Sequence, residues 1–207
     1  MKVIGDFSKR SRVGSLDAEG RTYRLRWERE AGYVSVAGIS EVKTRIDDDA
    51  GQPVVFMRWL VADFRKVGGP DGLFDALESH SPDGADWASC LRRNCRAGQA
   101  DMSAIRAIAL LSLIATTPPY QGRHLGTPLA RAFAETVLRR LGVHAIWIKP
   151  VPLREHQDTG MFKPVYDTDT AAFQMAKDRL ERHYQRSLDA KWTCPDYLRV
   201  DLDRSAP

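Results

Sequence analysis

The chain has 207 residues, enough for one domain with a substantial core. Hydrophobic residues make up 43% and charged residues 28%, the balance of a globular protein rather than of a disordered or fibrous one. Lys and Arg number 31 against 27 Asp and Glu, and a net charge of +4 is too mild by itself to mark a nucleic-acid binder. No apolar run nears the roughly 18–20 residues of a membrane helix, and residues 1–6 hold no signal-like apolar stretch. A soluble, cytoplasmic protein without a membrane partner is therefore expected.

In chain order, Tyr23-Arg24-Leu25-Arg26-Trp27-Glu28 alternates apolar and polar residues like a half-buried strand. A second strand, Tyr33 to Val42, follows Gly32, so the two read as a hairpin. Asp47-Asp48-Asp49-Ala50-Gly51 is a turn; it lacks the spaced ligands and terminal Glu of a calcium loop. Val54 to Phe64 is nearly continuously apolar, as a central strand is. Gly68-Gly69-Pro70 breaks the chain, and two helices are predicted over 71–79 and 83–96. Another buried strand spans Ile105 to Ala115 and ends at Pro118-Pro119.

Leu129, Phe133, Val137 and Leu141 then recur at helical spacing, with Gly142 where a carboxyl-terminal cap belongs. A short strand covers 145–148, residues 155–169 read as a long polar loop, and Phe173, Ala176, Leu180 and Tyr184 mark a helix over 170–187. Residues 192–194 and 198–202 close the chain as a hairpin. Strands and helices mix, so the expected class is α/β: one mostly antiparallel sheet flanked by helices, in a single domain over 1–207.

Cys90, Cys95 and Cys194 cannot all pair, and none lies in a CxxC or beside histidines at zinc spacing. Neither a disulfide framework nor a structural metal is expected. Residues 92–154 carry ten Lys or Arg against Asp101 and Glu135, a local excess of eight positive charges. Such a stretch suits phosphates, a nucleic acid, an acidic partner, or a solvated basic face.

The most informative stretch is Pro118-Pro119-Tyr120-Gln121-Gly122-Arg123-His124-Leu125-Gly126-Thr127, between a buried strand and an amphipathic helix. A helix start aims free N–H groups and the positive end of its dipole at one point. Gly122 and Gly126 would let a phosphate approach the main chain, and Arg123 adds charge. No Gly-Lys-Ser/Thr of a Walker A loop and no GxGxxG of a dinucleotide fold is present. A plain glycine-containing strand-to-helix turn is the competing reading.

Gln121-Gly122-Arg123-His124-Leu125-Gly126 resembles the acetyl-CoA pyrophosphate loop of the GNAT N-acetyltransferase superfamily, whose core is Arg/Gln-x-x-Gly-x-Gly/Ala. Pro118-Pro119-Tyr120 is similar to the Pro-x-Tyr that often precedes it, and the downstream element order also matches. The resemblance covers residues 103–203 and implies a CoA-binding core there, with 1–100 a divergent amino-terminal half. His124 replaces the family's middle glycine, and Asp189 stands near the glycine expected after the last helix.

What the resemblance implies is a sheet split where Leu113, Ile114, Ala115 and Thr116 line the pantetheine of acetyl-CoA. Gln121, Gly122, Arg123, His124, Leu125, Gly126 and Thr127 would hold the pyrophosphate. An amine would attack the thioester directly, with a main-chain N–H near Leu113 or Ile114 stabilising the oxyanion. Tyr184 would protonate the departing thiolate; the family spacing favours position 185, which is Gln185. Tyr184 shares a helix face with Phe173 and Leu180, so a core tyrosine competes with that role. Glu78 and His80 are the candidates for general base. His144, His156 and His183 read as ordinary histidines.

The functional expectation is an acetyl-CoA-dependent N-acetyltransferase. A GNAT-like protein that binds acyl-CoA without catalysis, and a basic nucleic-acid-binding protein, stay open beside it. The acceptor is not named by the sequence: a small molecule, a protein amine and an aminoacyl-RNA all suit, and pairing with a second copy stays open.

Overall fold

The computed structural model describes residues 11–31, 38–68, 70–80, 82–96, 106–155, 162–164 and 170–202. Strands β1 (Arg12–Ala18), β2 (Arg21–Ala31), β3 (Ile39–Asp47) and β4 (Pro53–Asp63) form an antiparallel meander. Helices α1 (Pro70–His80) and α2 (Pro82–Arg96) precede β5 (Ala107–Thr116), α3 (Gly126–Phe133) and β6 (Val143–Ile148). A separate ribbon of β7 (Leu153–Glu155) and β8 (Phe162–Pro164) leads to α4 (Ala171–Leu188), and β9 (Lys191–Cys194) and β10 (Tyr197–Asp201) close the chain. The eight-stranded sheet is open and runs β1-β2-β3-β4-β5-β6-β10-β9. β5 and β6 are its parallel pair, joined through α3. The class is α/β, as the mixed periodicity predicts.

Burial explains the patterns. β4 and β5 read as continuous apolar runs because helices lie over both faces of the sheet there. β3 alternates buried and half-exposed residues because one face packs and the other meets water, where Lys43 pairs with Glu30 (2.9 Å). On one face Leu25, Trp27, Val42 and Ile46 join Ala109, Leu111, Phe133 and Ile146 beneath α3 and α4. On the other, α1 and α2 cover only the β4–β6–β10 half, through Leu73, Leu77, Trp87, Leu91, Ile108 and Trp147.

Four departures from the sequence reading have local causes. β1 is not legible because it is an edge strand with Leu16 its one buried hydrophobic residue; Glu19 and Gly20, both at positive φ, turn it into β2. The second strand begins at Ile39 and extends to Asp47, and residues 32–37 lie outside the described part. The predicted long loop holds the β7–β8 ribbon, where Glu155 faces Phe162. Past Phe133 the third helix widens into a π turn, Ala134–Leu138, and tightens at Arg139–Leu141, before Gly142 caps it at φ +84.

The cysteine expectation is overturned. Cys90 of α2 and Cys194 of β9 form a disulfide with Cα atoms 5.9 Å apart. The partners lie 104 residues apart in sequence, so no local spacing could announce them. They meet because α2 lies against the β9 edge. Crosslinks of this kind persist in oxidising compartments and are rare in reducing ones. No helix is long and apolar enough to cross a membrane among the described residues.

Candidate functional site

The site begins with a bulge. Arg58 faces Leu113 and Trp59 faces Leu111, so Ser112 is an extra residue in β5, its Oγ donating to Arg58 O (3.1 Å). The insertion flips the parity of the strand. Before it, Ala107, Ala109 and Leu111 point to the α3 side; after it, Ile114 and Thr116 do. Pairing with β6 also ends here, at Leu111 opposite Ile148, so beyond Leu111 β5 is bonded only to β4.

The backbone direction along that free edge follows from one hydrogen bond. Thr117 N–H donates to Val54 O (3.0 Å), which makes Thr117, Ala115 and Leu113 the residues whose amides turn to β4. Ile114 and Thr116 therefore turn theirs into the gap beside β6. Of the two amides considered as oxyanion donors, Ile114 faces the gap and Leu113 faces β4. The Thr116 carbonyl accepts a bond there from Gln121 Nε2 (3.1 Å).

The following turn is tied at several points. The Tyr120 hydroxyl donates to Asp48, pinning the turn to the β3–β4 connection; this bond holds the Asp48 carboxyl below its ordinary value and raises the Tyr120 phenol. The Arg123 guanidinium lies 5.2 Å from the centre of the Tyr120 ring. Gly122 adopts φ +75 and a Cβ there would meet open space, whereas His124, at φ +56, takes a left-handed conformation that glycine adopts without penalty. Gly126 serves packing: a Cβ would come within 3.2 Å of Thr116 Oγ1 and 3.3 Å of Ile114 Cδ1. Leu125 caps α3 without a side-chain hydrogen bond; Leu129 N–H donates to Leu125 O (3.1 Å) and Pro128 has no N–H, so among the described residues the Gly126 and Thr127 amides are the two of the first turn without an acceptor.

The next residue, Thr127, is 3% exposed, and its Oγ1 lies 2.5 Å from His183 Nε2 on α4. Ser187 Oγ stands 3.4 Å from His183 Nδ1, and the His124 ring centre is 6.0 Å from that of His183. Burial, and secondarily His124, lowers the His183 pKa below its ordinary 6.5, favouring neutral imidazole. His124, His183 and Ser187 border an open basin of about 1140 Å³, whose other walls include Glu19, Arg21, Asp48 and Arg123. The charges there are mixed, two arginines beside several carboxylates, rather than uniformly basic.

The structure thus brings Ile114, Thr116, Gln121 and Gly126 together and sets Thr127 against His183. The three catalytic candidates are placed differently. Tyr184 is 5% exposed within the main core, where burial pushes its phenol well up. Glu78 is bonded to Arg92 between α1 and α2, on the opposite face. His80 closes α1, and its side chain lies outside the described residues. Lys149, one residue past β6, reaches Asp86 (2.7 Å), so the start of α2 does approach the end of the sheet where β5 and β6 part.

His183 and Thr127 form the contact that the sequence reading missed. They lie 56 positions apart, and a histidine on a helix next to a core tyrosine carries no local sign of its partner. Comparison with known protein families, with curated proteins and with solved structures finds no match for this chain.

Proposed function

We propose that the protein is an acetyl-CoA-dependent N-acetyltransferase with a GNAT-like core over residues 103–203. The observation that carries the reading is the parting of β5 and β6 beyond Leu111, next to a helix start where the Gly126 and Thr127 amides have no acceptor among the described residues. A pantetheine amide in that gap would find the Ile114 N–H and C=O and the Thr116 N–H, as an added strand would, the Thr116 carbonyl being held by Gln121. Its pyrophosphate would meet the amides of 124–127 and the Arg123 charge, at the positive end of the α3 dipole. The Ile114 N–H is the donor suited to a developing oxyanion. The amino-terminal arrangement is this chain's own, since α1 and α2 fall between β4 and β5.

Tyr184 is the candidate for protonating the thiolate, since burial keeps its phenol protonated. The same burial, together with the Glu78–Arg92 pair, favours the second reading: a protein that holds acyl-CoA without transferring the acyl group. The nucleic-acid reading loses ground. Within the basic stretch, Arg92 pairs with Asp75 and Glu78, Arg131 with Glu135, and Lys149 with Asp86, so part of that charge is neutralised locally.

Titration calorimetry with acetyl-CoA on wild type and Arg123→Glu tests the proposal. Arg123 is exposed, so its reversal leaves the fold intact while adding repulsion at the phosphates. Saturable heat in wild type, weakened about tenfold or more in the variant, supports it. No heat in wild type refutes both acyl-CoA readings. Where binding holds, turnover of amine acceptors by wild type and Tyr184→Phe separates the two. A rate about 10²–10⁴-fold lower in the variant assigns the tyrosine its acid role.

A further inference from the structure

His183 is held between two hydroxyls rather than against a carboxylate. Thr127 Oγ1 lies 2.5 Å from its Nε2, and Ser187 Oγ lies 3.4 Å from its Nδ1. Thr127 is buried in the first turn of α3, where its own amide and that of Gly126 have no acceptor among the described residues. The ring therefore holds the turn at which a pyrophosphate would sit. A neutral imidazole has one donor and one acceptor nitrogen, so one of the two hydroxyls spends its hydrogen on the ring. In the protonated ring both nitrogens donate and both hydroxyls accept, which releases the Thr127 hydrogen for an oxygen at the same turn.

The charges around the ring are mixed. The loop brings His124, its ring centre 6.0 Å away, and Arg123. Glu19 and Arg21 of the β1–β2 turn and Tyr23 of β2 line the same basin, with Asp48 and Asp49 of the β3–β4 turn. Asp48 accepts from the Tyr120 hydroxyl and from Gln52 N–H (2.7 Å), and Asp49 from Ala50 N–H (3.0 Å). Along α4, Arg179 and Arg186 stand one turn to either side, and the Tyr184 ring is 5.9 Å away. On α3, Arg131 follows Thr127 by one turn and is paired with Glu135 (2.9 Å). Burial first, and His124 second, keep the ring neutral, and no carboxylate offsets them. The positive end of the α3 dipole acts in the same direction. What the surroundings lack is a negative charge beside Thr127, and an anion on the Gly126 and Thr127 amides supplies it. Two sites in such contact are linked: an anion that favours the charged ring binds more tightly once the ring is charged.

We infer that His183 is a positioning residue of the acyl-CoA site, taking up a proton as the diphosphate settles on the turn that Thr127 belongs to. The inference rests on the acyl-CoA reading. The proton comes from solvent and stays on the imidazole, and no bond of the ligand changes. Affinity therefore rises as pH falls through the interval between the occupied and the empty site's pKa, by at most about tenfold per pH unit for one proton.

Calorimetric titration with dephospho-CoA at pH 8, 6.5 and 5.5 tests this, in two buffers of different ionisation heat so that the protons taken up are counted. Dephospho-CoA lacks the 3′-phosphate, a monoester that itself titrates at about pH 6, and its diphosphate stays charged throughout. Wild type is expected to bind about fivefold or more tightly at pH 5.5 than at pH 8, with net proton uptake at pH 6.5. His183→Gln, whose amide can still bond to Thr127, should show neither. Should that variant not fold, the ring resonances of His183 in wild type give the same answer, through a pKa that rises when dephospho-CoA is bound. Binding without proton uptake, a His183 pKa that does not rise, or equal uptake in His183→Gln overturns the inference and leaves the acyl-CoA reading standing. A variant weakened by one factor at all three pH values shows a merely structural role and overturns it too. No binding by wild type at any pH refutes the acyl-CoA reading, and this inference with it.

Discussion

The two faces of the sheet are built differently. The face under α1 and α2 is closed: the Cys90–Cys194 bond ties α2 to β9, and Arg92 bridges to α1. Trp87 and Trp147 pack there with ring centres 6.2 Å apart. The face under α3 and α4 has a bulge that inverts the parity of β5, a π turn, two non-glycine residues at positive φ (His124 and Asp189) and the basin beside His183. Irregular backbone carries a cost in stability and concentrates where binding or chemistry occurs. One face holds the fold, and the other is the place to look for function.

The largest effect should come from the closed face. Trp87→Ala removes a fully buried ring, and urea denaturation should report a loss of about 3–5 kcal/mol. Acetyl-CoA affinity of the folded fraction should stay unchanged; a large loss of affinity would break the division of roles. Next, Cys194→Ser should lower stability by about 2–4 kcal/mol. Reducing agent should do the same to wild type, and an unchanged melting temperature on reduction would remove the cross-link from the account.

On the open face the effects should be smaller in stability and larger in binding. Gly126→Ala brings a methyl group within 3.2 Å of Thr116 Oγ1 and 3.3 Å of Ile114 Cδ1, side-chain ends that must give by a few tenths of an ångström, so stability should change by no more than about 1 kcal/mol. Acetyl-CoA affinity should fall, since the join between β5 and α3 must shift. Unaltered affinity would detach the loop from the binding site.

The smallest effect concerns pH. His183 has a folded pKa below its ordinary 6.5, so the folded state binds fewer protons than the unfolded chain as pH falls past that value. Its contribution is fully present above about pH 6.5 and is lost as pH falls through the folded value. Thermal melts between pH 7 and 5 should show this loss in wild type, and His183→Gln should flatten it. An equally steep profile in the variant would assign the dependence to other groups.

Much of the fold was legible where the cause is local. The continuous apolar runs of β4 and β5, the helical spacing from Leu129 to Leu141 and the Gly142 cap each follow from neighbours a few residues apart. The junction at 118–127 was legible for the same reason. Long-range contacts escaped. Nothing in the sequence around Ser112 distinguishes a bulge from an ordinary strand, yet that residue decides which amides face the gap. The Thr127–His183 contact and the Cys90–Cys194 bond depend on which helix lands on which strand. Gly126, read as room for a phosphate, proves to have a packing use that only the proximity of Ile114 and Thr116 reveals.

The most direct measurement of the central claim is amide exchange or chemical-shift mapping of the labelled protein as acetyl-CoA is added. The account predicts perturbation of Ile114, Thr116 and the amides of 124–127, with Leu113 less affected and α1 and α2 silent. Saturating acetyl-CoA that leaves those amides unmoved, or that perturbs α1 and α2 instead, would contradict it.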